Sequence, residues 1–140
     1  MQVLITSKPR RPFRHELSTR THKIISDVDA SLNGGDSGPN PHELALFSLG
    51  TCAAITMELY AAKKKLDLKQ VTVTVTESSV ADPENSNAKI PHILIGVSLS
   101  GNLSDLDIAK LTEIGERCPV LKLFTGKKVV ESKVQRAPAK

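Results

Sequence analysis

NPHELALFSLGTCAAITMELYAAKKK, residues 40–65, decides how the rest of the chain is read. Asn40 is a helix-capping residue type, Pro41 suits the first helical position, and Glu43 stands at the third, where its carboxylate closes a capping box. Residues 44–57 carry no charge, and their apolar positions do not keep to one stripe. A helix apolar nearly all round is buried on all sides or crosses a membrane. This run holds Ser48, Gly50, Thr51 and Thr56 between Glu43 and Glu58, too short and too polar for a span of about 20 apolar residues. The expectation is a buried central helix with Cys52 near its middle.

Upstream, residues 2–6 suit a short strand that SKPRRP breaks, with Pro9 and Pro12 opposing a regular ladder. Residues 13–17 and 22–27 flank STRT as a hairpin, with Arg20 in or near its turn. DASLNGGDSGPNP, residues 29–41, is a loop. Its glycines suggest a phosphate loop, but no Gly-Lys-Ser/Thr follows, which favours a flexible approach to a capped helix. Downstream, Val71, Val73 and Val75 alternate with Thr72, Thr74 and Thr76, the period of a half-buried strand. A polar loop over 80–91 leads to a second strand over 92–100, giving a hairpin with a long, mobile tip.

A second helix is expected over 103–117, with Ser104 and Asp107 as another capping box and Leu103, Leu106, Leu111 and Ile114 as its apolar face. Pro119 stops or restarts it, KKVVESKV at 127–134 forms a last strand, and APAK frays. The order β-β-α-β-β-α-β indicates an α+β fold, and 140 residues suit a single domain over 1–140.

The formal net charge is +4. It comes from Arg10, Arg11 and Arg14 with Lys8 near one end, and from 127–140 at the other, while the middle is net acidic. Three Phe, one Tyr and no Trp leave almost nothing to stack bases, so nucleic-acid binding is not expected. No apolar leader is seen, and two cysteines suit a reducing cytoplasm. His15, His22, His42 and His92 are scattered and no Cys-x-x-Cys pair occurs, so no metal or cofactor is expected. Hydrolase and dinucleotide motifs are absent.

Cys52 reads either as a nucleophilic thiolate or as a small apolar residue packed in a helix. Cys118, before Pro119 at a helix end, has the same two readings. Glu43 lies about 13.5 Å from Cys52 along a helix and cannot reach it, so it caps its own helix or serves another site. Arg20 is either a solvated turn residue or a guanidinium able to lower a thiol pKa.

GGDSGPNPHELALFSLGTC, then AAITMELYAAKK, and much later ERCPV resemble the OsmC/Ohr family of osmotically inducible and organic hydroperoxide resistance proteins, and most closely its short OsmC-like branch. The resemblance implies an intertwined homodimer, with antiparallel sheets wrapped around long central cysteine-bearing helices and two active sites at the subunit interface. By the same resemblance Cys52 would be oxidised by an organic hydroperoxide to a sulfenic acid, and Cys118 would condense with it to a disulfide. A dithiol reductant, possibly of lipoyl type, would reset the pair. The family's catalytic Arg lies in the first hairpin turn, where Thr19 or Arg20 aligns, with Arg14 upstream. Its peroxidases carry a Glu after the helix-start Pro, where this chain has His42, with Glu43 next. That departure motivates an alternative, a redox-silent dimer binding a small apolar ligand at its interface.

Overall fold

The computed structural model describes residues 2–8 and 10–136. Pro9 and the end at 137–140, where a break and fraying were expected, lie outside the described residues. The chain runs through three strands, β1 (Leu4–Lys8), β2 (Arg11–Thr19) and β3 (His22–Ser26), then a long helix α1 (Pro41–Lys64). A hairpin of β4 (Asp67–Ala81) and β5 (Lys89–Asn102) follows, then α2 (Asp105–Gly115) and α3 (Pro119–Thr125). The strands form two separate antiparallel sheets, β1-β2-β3 and β4-β5.

Pro12 opposes a regular ladder as expected, but without ending the strand. It lies inside β2, where the register shifts between Ser7 and Lys8 and both Arg10 and Phe13 take positive φ. The irregularity absorbs the proline without a regular ladder bond at that point. Thr19 pairs with His22, so Arg20 and Thr21 form a two-residue turn with Arg20 at φ 43°.

α1 begins as its sequence dictates. The Asn40 side chain accepts from Glu43 N at 3.0 Å, and Glu43 Oε2 accepts from Asn40 N at 2.8 Å. Leu49, Ala53, Met57 and Ala61 are buried, and Ala53, Met57 and Ala61 cluster with Leu111 of α2. Gly50 sits against Val73 and Val75 of β4, a close helix-to-sheet approach. Burial on all sides does not hold, however, because Phe47, Ile55 and Leu59 face outward and exposed. The uncharged run is also shorter than the helix: at 24 residues α1 is long and apolar enough, by length and composition alone, to cross a membrane. Its inner side is instead packed on protein.

The β4-β5 pairing runs from Asp67↔Asn102 to Ala81↔Lys89, longer than the alternation indicated, so the expected tip shrinks to 82–88. α2 starts at a Ser104–Asp107 capping box. Leu111 is 0% exposed, but Leu106 is 82% exposed and does not join the apolar face. It lies about 140° around the axis from Leu111.

The last strand is not formed, since residues 127–136 have no regular structure and no ladder partner among the described residues. A valine-rich run has strand propensity, but a strand exists only where an edge receives it. LKLFTG instead belongs largely to α3, restarted by Pro119 at its first position and capped by Cys118. The element order is therefore β-β-β-α-β-β-α-α, still α+β.

Candidate active site

Cys52 lies midway along α1, on the boundary between its packed and outer faces. Thr56 Oγ1 donates to the Cys52 carbonyl at 2.7 Å, a bond back along the helix that does not involve the thiol. The side chain is partly exposed and opens onto an apolar groove walled by Phe47, Thr51, Ile55, Leu59 and Pro119.

Cys118 is 0% exposed. Its Sγ accepts from Leu121 N at 3.2 Å, which makes it the N-cap of α3. Burial pushes the Cys118 thiol above its ordinary value; the adjacent Cys52 side chain pushes the same way, and the Leu121 and Val120 amides oppose both. A hydrogen-bonding influence of Cys52 on Cys118 requires the two side chains to be neighbours, so α1 and α3 bring the thiols together. Both are free. The arrangement is a dithiol with one sulfur open to a greasy groove and the other enclosed.

The remaining candidates lie elsewhere. Arg20 is exposed at the β2-β3 turn, and within this chain no hydrogen bond or ion pair joins it to either cysteine among the described residues. Arg14 Nε donates to Ser37 Oγ at 3.1 Å and so ties β2 to the following loop. Glu43 is engaged in its own capping box. His42 projects from the first turn of α1, with Nδ1 2.9 Å from Oε2 of Glu77 on β4.

Two acidic residues were not anticipated. Glu77 was hidden because its partner is far away in the chain. Asp27, at the end of β3, is 2% exposed; it accepts from Val28 N at 2.8 Å, Ser37 N at 3.2 Å and Ser37 Oγ at 2.6 Å. Hydrogen bonding from the Ser37 hydroxyl, then from the Val28 amide, lowers its pKa to about 2. Asp27 thus holds the 28–40 loop that delivers the α1 cap. The loop glycines serve packing: a Cβ on Gly34 would lie 1.9 Å from the Val28 carbonyl oxygen. Among the described residues no three His, Cys, Asp or Glu side chains gather as metal ligands.

Residues 34–133 match the family of OsmC-like proteins. Among solved structures, a candidate osmotic stress induced and detoxification response protein of Psychrobacter arcticus superposes with a TM-score of 0.71 at 21% identity, covering 88% of this chain and 87% of that one. An organic hydroperoxide resistance protein OsmC of Legionella pneumophila gives a TM-score of 0.62 at 20% identity, over 90% of each chain. The organic hydroperoxide resistance protein OhrB of Bacillus subtilis gives 0.61 at 16% identity, over 89% of this chain and 90% of that one. At such identities the likeness speaks for the fold. No curated protein sequence matches the chain.

Proposed function

The chain belongs to the family of OsmC-like proteins, and from that premise we propose that it is a thiol-dependent peroxidase reducing organic hydroperoxides. The observation that carries the reading is the pair of neighbouring free thiols, Cys52 at an apolar groove and Cys118 enclosed beside it. The Cys52 thiolate attacks the distal peroxide oxygen: an S–O bond forms, the O–O bond breaks, and the alcohol leaves with a proton. Cys118 then attacks the Cys52 sulfur, an S–S bond forms, and the hydroxyl departs as water with the Cys118 proton. Apolar walls favour greasy peroxides over hydrogen peroxide. The raised Cys118 pKa suits a thiol that stays protonated until Cys52 is oxidised.

The protein would act as a homodimer in the cytoplasm, with a second copy covering the outer face of α1 at Phe47, Ile55 and Leu59. Arg20 of that second copy would activate Cys52, and a dithiol, possibly lipoyl-type, would reset the disulfide. Neither nucleic acid nor membrane is part of this reading. The alternative, a redox-silent dimer holding a small apolar ligand, is favoured by His42, whose ring is occupied with Glu77.

Intact mass after adding cumene hydroperoxide to the reduced protein separates the two. A rapid loss of two hydrogens per chain, with a trappable sulfenic acid at Cys52 in Cys118→Ser, is expected. Thiols that persist through many equivalents would sink the peroxidase and leave the ligand-binding reading.

A further inference from the structure

Cys118 holds two roles that oxidation sets against each other. Its sulfur neighbours Cys52, and the same sulfur caps α3 by accepting from Leu121 N at 3.2 Å. The rest of that helix is held lightly, with only Val120 and Leu121 half-buried against their neighbours. α3 has seven residues and none is buried; Leu123 is 67% exposed, and the chain after it has no regular structure. Helices this short do not stand on intrinsic propensity, so the cap weighs heavily.

A disulfide demands a sulfur separation of about 2 Å and a dihedral near 90°, which re-aims the Cys118 side chain toward α1. The sulfur keeps its lone pairs, but the re-aimed side chain no longer presents them to Leu121 N. We propose that α3 is a redox-released lid over Cys118: capped and closed in the dithiol, uncapped and frayed once the Cys52–Cys118 disulfide forms. This rests on the peroxidase reading above. Cys118 is fully enclosed in the reduced protein, so a reductant has no path to its sulfur until the lid loosens. Fraying then directs the dithiol's thiolate to Cys118, and Cys52 leaves as the thiolate, ready for the next peroxide. The reductant's second thiol attacks its own linked sulfur and frees Cys118, so the two electrons end on the cysteines and the reductant becomes a disulfide.

Hydrogen exchange read by mass spectrometry on the full chain tests this, before and after one equivalent of cumene hydroperoxide, with intact mass taken on the same sample. Amides of 121–125 should exchange about fivefold faster after oxidation, the effect of losing one N-cap, while α2 stays unchanged. A disulfide seen by mass with unaltered exchange in α3 overturns the lid and leaves the peroxidase standing. Absence of the disulfide overturns both. Cys118→Ala should exchange in α3 at the oxidised rate without peroxide, whereas Cys118→Ser keeps a capping oxygen and should stay slow with or without it. Slow exchange in Cys118→Ala would equally overturn the proposal.

Discussion

The two sheets both carry apolar residues but differ in what lies on them. β4 turns Val71, Val73 and Val75 toward α1, and Ala53, Met57, Ala61 and Leu111 complete a core there. β1-β3 carries Ile5 and Ile24 as well, yet within this chain both are exposed. That sheet lies beside Pro41 and Leu44 of α1, and it is tethered by Asp27, Arg14 and Ser26 to the loop before the helix. Apolar residues in a strand therefore announce a surface to be covered, but not what covers it.

The strongest probe of this contrast is a pair of truncations. Leu111→Ala should cost about 2–5 kcal/mol, and Ile24→Ala in dilute protein about 0.5 kcal/mol or less, both read from urea midpoints. Equal losses would break the contrast and mean that β1-β3 is covered even in dilute solution. A concentration-dependent cost at Ile24 would sharpen it. Next comes Gly101→Ala at the end of β5. Gly101 has φ 136°, and a Cβ there would lie 1.8 Å from the Asp67 carbonyl oxygen. A loss of about 2 kcal/mol is expected from such strain, and a silent substitution would show that the hairpin end is not rigid.

Smaller is Ser104→Ala, which removes the cap joining α2 to the hairpin, worth about 1 kcal/mol in thermal denaturation; Leu106→Ser beside it should be silent. The last probe, Asp27, is read from its pH dependence rather than from its size. Its folded pKa is about 2 against an ordinary 3.8, so the stability it lends is present above that ordinary value and lost as pH falls through about 2. The gap in melting temperature between the wild type and Asp27→Asn should therefore narrow across that window. A constant gap would mean that the tether of β1-β3 does not depend on the carboxylate's charge.

Legibility followed the range of the interactions. The Asn40–Glu43 and Ser104–Asp107 boxes close within one turn and could be read directly. α3 could not, because seven residues are too few to show a helical period, and its cap is a cysteine rather than a usual capping residue. The strand expected at 127–134 failed for the opposite reason: its composition is local, whereas a pairing edge is not. Cys52 and Cys118 stood out as residues, with the family resemblance supplying their connection, but their adjacency depends on how α1, α2 and α3 stack. The His42–Glu77 pair joins positions 35 residues apart and left no trace in either local pattern.

Gly50 has a consequence for the cysteines that it never touches. It faces Val73 and Val75, two residues before Cys52, and a Cβ placed there would come within 2.9 Å of a Val75 methyl. The absent side chain works as a shim: it sets how low the helix rides on the sheet, and through the rigid rod above it, the height of Cys52 relative to Cys118. Stepping position 50 through alanine, serine and valine would jack that rod upward by graded increments. The gap between the sulfurs can thus be tuned from the far side of the helix, with neither cysteine altered.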